Sequence, residues 1–216
     1  MNYFAHGYRF LDDPYFMVGT ALPDFLGVAN RNVRVPPIRV RPWVDAIDPV
    51  TATIARGILQ HHDDDAEFHV TRDFAELNIR FAKQIKRTDP SAHEMVTPLL
   101  AHIVPELILD AILIDEAPGL IDQYYRIMSE IDLKVVSSVV EQISGREPTD
   151  LARFHAIFLH EQFLRDYADD ERLYYRLSQV IKRVNWGPMP QGFESLLPEM
   201  RKEVVKRRAG LLHFLD

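Results

Sequence analysis

The chain has 216 residues, 47% of them hydrophobic and 26% charged, with a net charge of −7 and no cysteine. Such a chain can bury a sizeable core as one soluble globular domain, 1–216. The lack of cysteine excludes disulfides and thiolate metal sites, and the acidic balance argues against a general nucleic-acid surface.

Apolar residues recur with helical period and few strand-like alternations, so an all-α fold is expected. Helices are read near 12–24, 51–87, 91–116, 118–144, 149–168, 170–185 and 191–214. His6 precedes the first of them in an apolar setting, and Asp24 follows Pro23 in another. An aspartate after proline is commonly a helix cap or turn residue, which is the plain reading of Asp24, although an unpaired carboxylate is unwelcome in so apolar a neighbourhood. Residues 28–48 form the one long irregular connection, the kind that is often a functional lid. Arg31, Arg34, Arg39 and Arg41 lie in it with Pro36-Pro37, and no acidic residue stands between Asn30 and Arg41. Two readings stay open there: a flap that grips a substrate phosphate through bidentate guanidinium groups, and a solvated basic loop.

The second helical segment carries Gly57, which suggests close packing against another helix, and then His61-His62-Asp63-Asp64-Asp65. His61, Asp65 and His69 are spaced four apart, so on a helix they form one stripe, each step offset by about 40° and about 6 Å. Imidazole, carboxylate and imidazole at that spacing suit a divalent metal. The stripe is roughly 12 Å long, too long for straight side chains to meet on one ion. Either His69 leans back toward the helix N-terminus or Asp65 sits between two metals; a solvated acidic patch is the plain alternative. A break in the helix is expected near this cluster.

Residues 99–114 are apolar except at His102, Glu106 and Asp110, again spaced four apart. A helix apolar nearly all round is buried, and a buried carboxylate must be paired or metal-bound. A buried hydrogen-bond network is the alternative there. Pro105 removes one backbone donor and is expected to kink the helix. Ser144-Gly145 and Asn185-Trp186-Gly187-Pro188 read as turns, and Arg201-Lys202 with Lys206-Arg207-Arg208 as the exposed face of a last helix. No uninterrupted apolar run reaches the ~18 residues of a spanning helix. No basic-then-apolar leader opens the sequence either, so a cytoplasmic location without a transmembrane segment is expected.

Several short motifs resemble the acyl carrier protein phosphodiesterase family. They are Met1-Asn2-x-x-Ala5-His6, Gly19-x-x-Leu22-x-Asp24-Phe25-x-x-Gly27 and Gly57-Ile58-x-x-His61-x-x-x-Asp65. Leu109-Asp110, His160-Glu161-Gln162-Phe163-Leu164-x-x-Tyr167 and Leu197-Pro198-x-Met200 extend the likeness to the end of the chain. The resemblance implies an all-α, compact multi-helix HD-like bundle with a metal site between helices, removing phosphopantetheine from acyl carrier protein. The chain departs from that pattern in the arginine-containing connection before Thr51, at His62 where the family has a basic residue, and at His69 where it has an acidic one. Gly19-x-x-x-Pro23-Asp24, the His61–Asp65–His69 stripe and His102-x-x-x-Glu106 are also similar, more weakly, to the ligand order of the zinc-dependent phospholipase C family.

Both resemblances imply phosphodiester hydrolysis at clustered metals and differ in substrate. The expected metal ligands are His6, Asp24, His61, Asp65 and His69, lining one cleft with Glu106, Asp110 and His102. Of the latter three, Glu106 or Asp110 is read as general base and His102 stands at the edge. The ligand set suits one or two ions of Mn, Zn or Fe. The expected partner is a phosphodiester substrate, with acyl carrier protein a candidate, and no nucleic acid. Two alternatives remain at this point: a phospholipase C-like hydrolase, and a non-enzymatic helical scaffold with a degenerate metal site. Oligomeric state is not legible.

Overall fold

In the computed structural model, which describes residues 1–215, every regular element among the described residues is helical. Eleven α-helices follow one another: α1 (Tyr3–Gly7), α2 (Pro14–Ala29), α3 (Pro37–Val40), α4 (Pro49–Val70), α5 (Arg72–Thr88), α6 (Val96–Glu116), α7 (Pro118–Glu130), α8 (Leu133–Ser144), α9 (Leu151–Glu161), α10 (Asp170–Val184) and α11 (Leu197–Leu212). Local chemistry sets most of their starts. Asp13, Thr71, Asp132 and Asp169 each accept a hydrogen bond from a first-turn backbone N–H, a contribution of about 1 kcal/mol apiece. Pro14 and Pro118 occupy first positions, where the missing N–H costs nothing.

Four expectations about these elements need correction. The helix carrying His61–Asp65 does not break at that cluster but runs on to Val70. The chain leaves it at Thr71, whose hydroxyl accepts from Phe74 N–H and opens α5. The segment 118–144 likewise divides at Ile131–Asp132, where Asp132 caps α8. Helix α9 ends at Gln162, held in the left-handed region at φ 44°, and residues 163–168 form a 3-10 helix instead of continuing it. The connection 28–48 is not wholly irregular, since α3 and a 3-10 turn over Arg41–Trp43 lie within it.

The chain divides into two compact units, one built from residues 2–66 and 117–162, the other from residue 1, 67–116 and 163 onward. In the first unit α1 and α2 pack with α7 and α9. Phe4 and Tyr124, both fully buried, meet edge to face at 5.7 Å. Phe25 and Phe158 meet at 4.9 Å. Helices α2 and α4 cross at two glycines. A Cβ on Gly57 would strike the Phe16 carbonyl oxygen and stand 2.9 Å from Gly19 Cα, and one on Gly19 would stand 2.6 Å from the Ile54 carbonyl oxygen. The two backbones touch, as Gly57 suggested.

In the second unit α5, α6 and α11 pack on one another around Phe74, Leu77, Phe81, Val104, Ile108, Met200 and Val204. By length and composition α6 is apolar enough to cross a membrane, with a mean hydropathy of 1.7 over its best window. Yet 61% of that window is buried inside the protein, as befits the central helix of this unit. The C-terminal basic cluster differs from a solvated face. Arg207 and Lys206 lie 2.7 and 3.0 Å from Glu203, which Arg80 also meets at 3.0 Å. Arg201 pairs with Asp170 and Arg208 with Glu116, each at 2.6 Å. These cations neutralise carboxylates of their own unit, above all the buried Glu203.

Candidate metal centre

The tight α2–α4 crossing puts the middle of α4 beside the backbone of α2, and His61 uses that proximity. Its Nδ1–H donates to the Thr20 carbonyl oxygen at 2.8 Å. This fixes the ring tautomer and leaves the Nε2 lone pair facing Asp65, one turn further along α4. Burial, and then the charge of neighbouring His6, push His61 well below its ordinary pKa, so the ring is neutral near pH 7.

His6 arrives from α1, and its ring lies 4.0 Å from that of His61. His6 Nε2 stands 3.2 Å from Asp65 Oδ1, and His61 Nε2 stands 3.7 Å from Asp65 Oδ2. Ligands at ~2.1 Å from a tetrahedral ion lie ~3.4 Å apart, so the three donors span a separation an ion can bridge. His6 is fully buried, and neither of its ring nitrogens makes a hydrogen bond. A buried imidazole in that state is costly unless something else engages it. Burial opposes its charge, yet the facing carboxylates of Asp64 and Asp65 prevail and raise its pKa. Asp65 shows the converse: burial disfavours ionisation, but the facing His6 imidazole above all holds its carboxyl far below the usual range.

A second trio stands in the other unit. His69, at the end of α4, and His102 and Glu106, one turn apart on α6, place their donor atoms within 4.8 Å of one another. His69 Nε2–H donates to Glu106 Oε1 at 2.9 Å, and His102 Nε2 lies 3.4 Å from the same oxygen. The two rings stack at 4.8 Å, with Phe74 packed against both. This trio is open to solvent: the side chains of His69, His102 and Glu106 are 31%, 44% and 12% exposed.

Two His/Asp/Glu clusters could therefore each hold a metal ion. The stripe expected along α4 is real but divided. His61 and Asp65 join His6, whereas His69 joins His102 and Glu106, which had been read as catalytic groups. Asp24, half-buried on α2, and Asp110, fully buried on α6, belong to neither trio. Arg31, Arg34, Arg39 and Arg41 are exposed. Their segment is no free flap. Arg39 donates to the Ser144 carbonyl at 2.9 Å, Arg146 to the Asn32 carbonyl at 3.1 Å, and His62 to the Val35 carbonyl at 2.9 Å.

Three contributors escaped the sequence reading. Asp64 is 4% exposed and accepts from Arg9 Nη2 and Gln60 Nε2, both at 2.8 Å. Its place on the helix gave the signal, since three residues after His61 it shares that face, whereas Asp63 is exposed. Arg9 and the Thr20 carbonyl had no signal, because both are brought in by chain folding. No family model matches this chain, and no curated protein or solved structure matches it either.

Proposed function

We propose that this protein is a metal-dependent phosphodiesterase whose ion is held by His6, His61 and Asp65, with His69, His102 and Glu106 taking a second. The observation that carries the metal reading is His6: a fully buried imidazole with no hydrogen bond at either nitrogen, facing a carboxylate and a second, tautomer-fixed imidazole. The reaction class rests on the motif resemblance given above. A divalent ion supplies Lewis acidity and lowers the pKa of a bound water. The chain's own part is to keep His61 neutral and oriented through Thr20, and to offer in Asp65 and Glu106 carboxylates with two oxygens each. One oxygen is enough for a ligand, which leaves the other oxygen of Glu106 to accept a proton.

The test measures metal content and hydrolysis of bis(4-nitrophenyl) phosphate together. Metal-dependent turnover supports the reading; stoichiometric metal without turnover replaces it with a structural metal site. Proton counting gives a further check. Burial is outweighed by the facing carboxylates of Asp64 and Asp65, which raise the pKa of His6 above the ordinary imidazole value, so the ion-free ring holds its proton more tightly than a free histidine does. Binding requires the lone pair, so metal uptake should release protons and weaken as pH falls. Calorimetry in two buffers of different ionisation enthalpy reads this directly, and uptake without proton release would contradict the assignment of His6.

As to substrate, acyl carrier protein is acidic, and a net charge of −7 gives no long-range attraction unless a local patch provides it. Arg31, Arg34 and Arg41 are exposed and make no ion pair among the described residues. We expect diester hydrolysis with weak or no release of phosphopantetheine. Should carrier hydrolysis occur, Arg34→Glu with Arg41→Glu should slow it at least tenfold more than hydrolysis of the small diester. Equal effects on the two substrates would remove these arginines from carrier recognition.

A further inference from the structure

Arg9 reaches the neighbourhood of the buried trio through Asp64, which holds its guanidinium. It follows α1 by two residues, in the 3-10 turn Tyr8–Phe10, three positions after His6. Its Nη2–H donates to Asp64 Oδ2 at 2.8 Å, and its guanidinium carbon lies 4.9 Å from the Phe10 ring centroid. Asp64 is itself immobilised, since Gln60 Nε2 donates to its other oxygen at 2.8 Å. Asp64 Oδ2 also lies 3.7 Å from His6 Nδ1. Arg9 Nη2 and His6 Nδ1 are thus separated by no more than the sum of those two distances, 6.5 Å.

A guanidinium has five N–H donors in a planar fork. Arg9 uses one of them on Asp64, and its side chain remains 26% exposed. Asp64 therefore orients the fork without exhausting it, and the remaining donors can meet solvent beside the His6–His61–Asp65 trio. A planar fork suits two oxygens of one phosphoryl group, and a lysine cannot reproduce that match. The arginines at 31–41, by contrast, have no hydrogen bond or ion pair to any residue of the trio.

We infer that Arg9 is a phosphate-binding residue of this site, gripping an anionic phosphoryl oxygen pair of the substrate while Asp64 holds its guanidinium in place. The inference rests on the metal-site reading above and assigns that site a substrate class, a singly or doubly charged phosphate ester. A purely structural Arg9, present only to neutralise Asp64, is the competing account.

The experiment compares the full-length, zinc-loaded wild type with Arg9→Lys and Arg9→Ala. It measures zinc affinity, calorimetric binding of inorganic phosphate, and KM and kcat for bis(4-nitrophenyl) phosphate. Phosphate affinity should fall at least tenfold in both variants and KM should rise by a similar factor, with zinc affinity within about threefold of wild type. Arg9→Lys keeps a cation for Asp64, so it separates loss of the fork from loss of the fold, which circular dichroism confirms. Phosphate affinity unchanged in Arg9→Lys, or a wild type that binds no phosphate at millimolar concentration, overturns the inference. Zinc affinity and phosphate affinity falling together in Arg9→Ala, with wild-type behaviour in Arg9→Lys, assigns Arg9 the structural role and also overturns it. If phosphate binding depends on Arg9 but no diester is hydrolysed, the inference stands and the phosphodiesterase reading fails.

Discussion

Replacing Asp65 with alanine is expected to weaken divalent-ion binding at the buried trio by about a hundredfold or more, and to abolish any activity that depends on it. Asp63→Ala, two residues away, is expected to leave both within about twofold, as surface changes away from special features usually do. The contrast follows from the helix. Asp65 stands between two imidazoles, 3.2 Å from His6 Nε2 and 3.7 Å from His61 Nε2. Asp63 points about 160° away around the same helix and is exposed. Its removal takes nothing from the trio. Asp65→Ala removes a carboxylate that faces the buried His6 at 3.2 Å, so some loss of stability accompanies it. Asp65→Asn keeps the volume and one acceptor oxygen while removing the charge, and should fall between the two. Calorimetric zinc titration reads all three variants. Equal losses for Asp63→Ala and Asp65→Ala would mean that the trio does not bind the ion.

The run His61–Asp65 shows how far helical period alone carries a reading. Both α4 residues of the buried trio were legible from spacing, and so was the position of Asp63 about 160° around the helix from Asp65. The period also placed Asp64 on the His61 side of the helix, a signal that attention to steps of four passed over. What spacing could not show is which other helix meets each turn of the stripe. His6 comes from a separate helix some 50 residues earlier in the sequence, and His102 and Glu106 come from α6. Only tertiary packing brings those groups in, so a single stripe on α4 was read as serving one cleft. The same limit explains the arginines. A basic loop announces its charge in sequence, whereas Arg9, a lone cation in Tyr8-Arg9-Phe10, announces nothing until Asp64 is found against it.

Helix limits failed for a different reason. The break at Thr71 was encoded in Thr71-Arg72-Asp73-Phe74, a hydroxyl ahead of a first turn with an acidic residue, and the break at Asp132 in that aspartate itself, whose carboxylate caps the next helix. The cluster of charges at Asp63–Asp65 drew the expected break to the wrong place. Charged residues on an exposed or paired helical face do not end a helix; a competing cap does. At α9 nothing local announced the end, because Gln162 adopts a left-handed backbone that glycine or asparagine would normally supply.

The close crossing of α2 and α4 leads to the other large effect expected. Gly57→Ala should destabilise the protein by about 3 kcal/mol, at the top of the usual range for overpacking and against a total stability of about 5–15 kcal/mol. The offending atom is the Cβ itself, which would strike the Phe16 carbonyl oxygen and crowd Gly19 Cα. These are backbone atoms, so no rotamer change relieves the contact and the helices must separate. Two consequences follow from that cause. Gly57→Val should be no better than Gly57→Ala, because both carry the same Cβ. Separation also draws the Thr20 carbonyl away from His61 Nδ1, now 2.8 Å apart, so zinc affinity should fall together with stability. Gly119→Ala supplies the control, since a Cβ there meets nothing within 4 Å. In the first turn of α7 it should be neutral or stabilising by up to about 1 kcal/mol, as alanine replaces glycine in a helix. Chemical denaturation followed by circular dichroism, with zinc titration of each folded variant, measures the series. Wild-type stability and wild-type zinc affinity in Gly57→Ala would show that the two backbones do not touch as described, and that His61 is not held in place by this crossing.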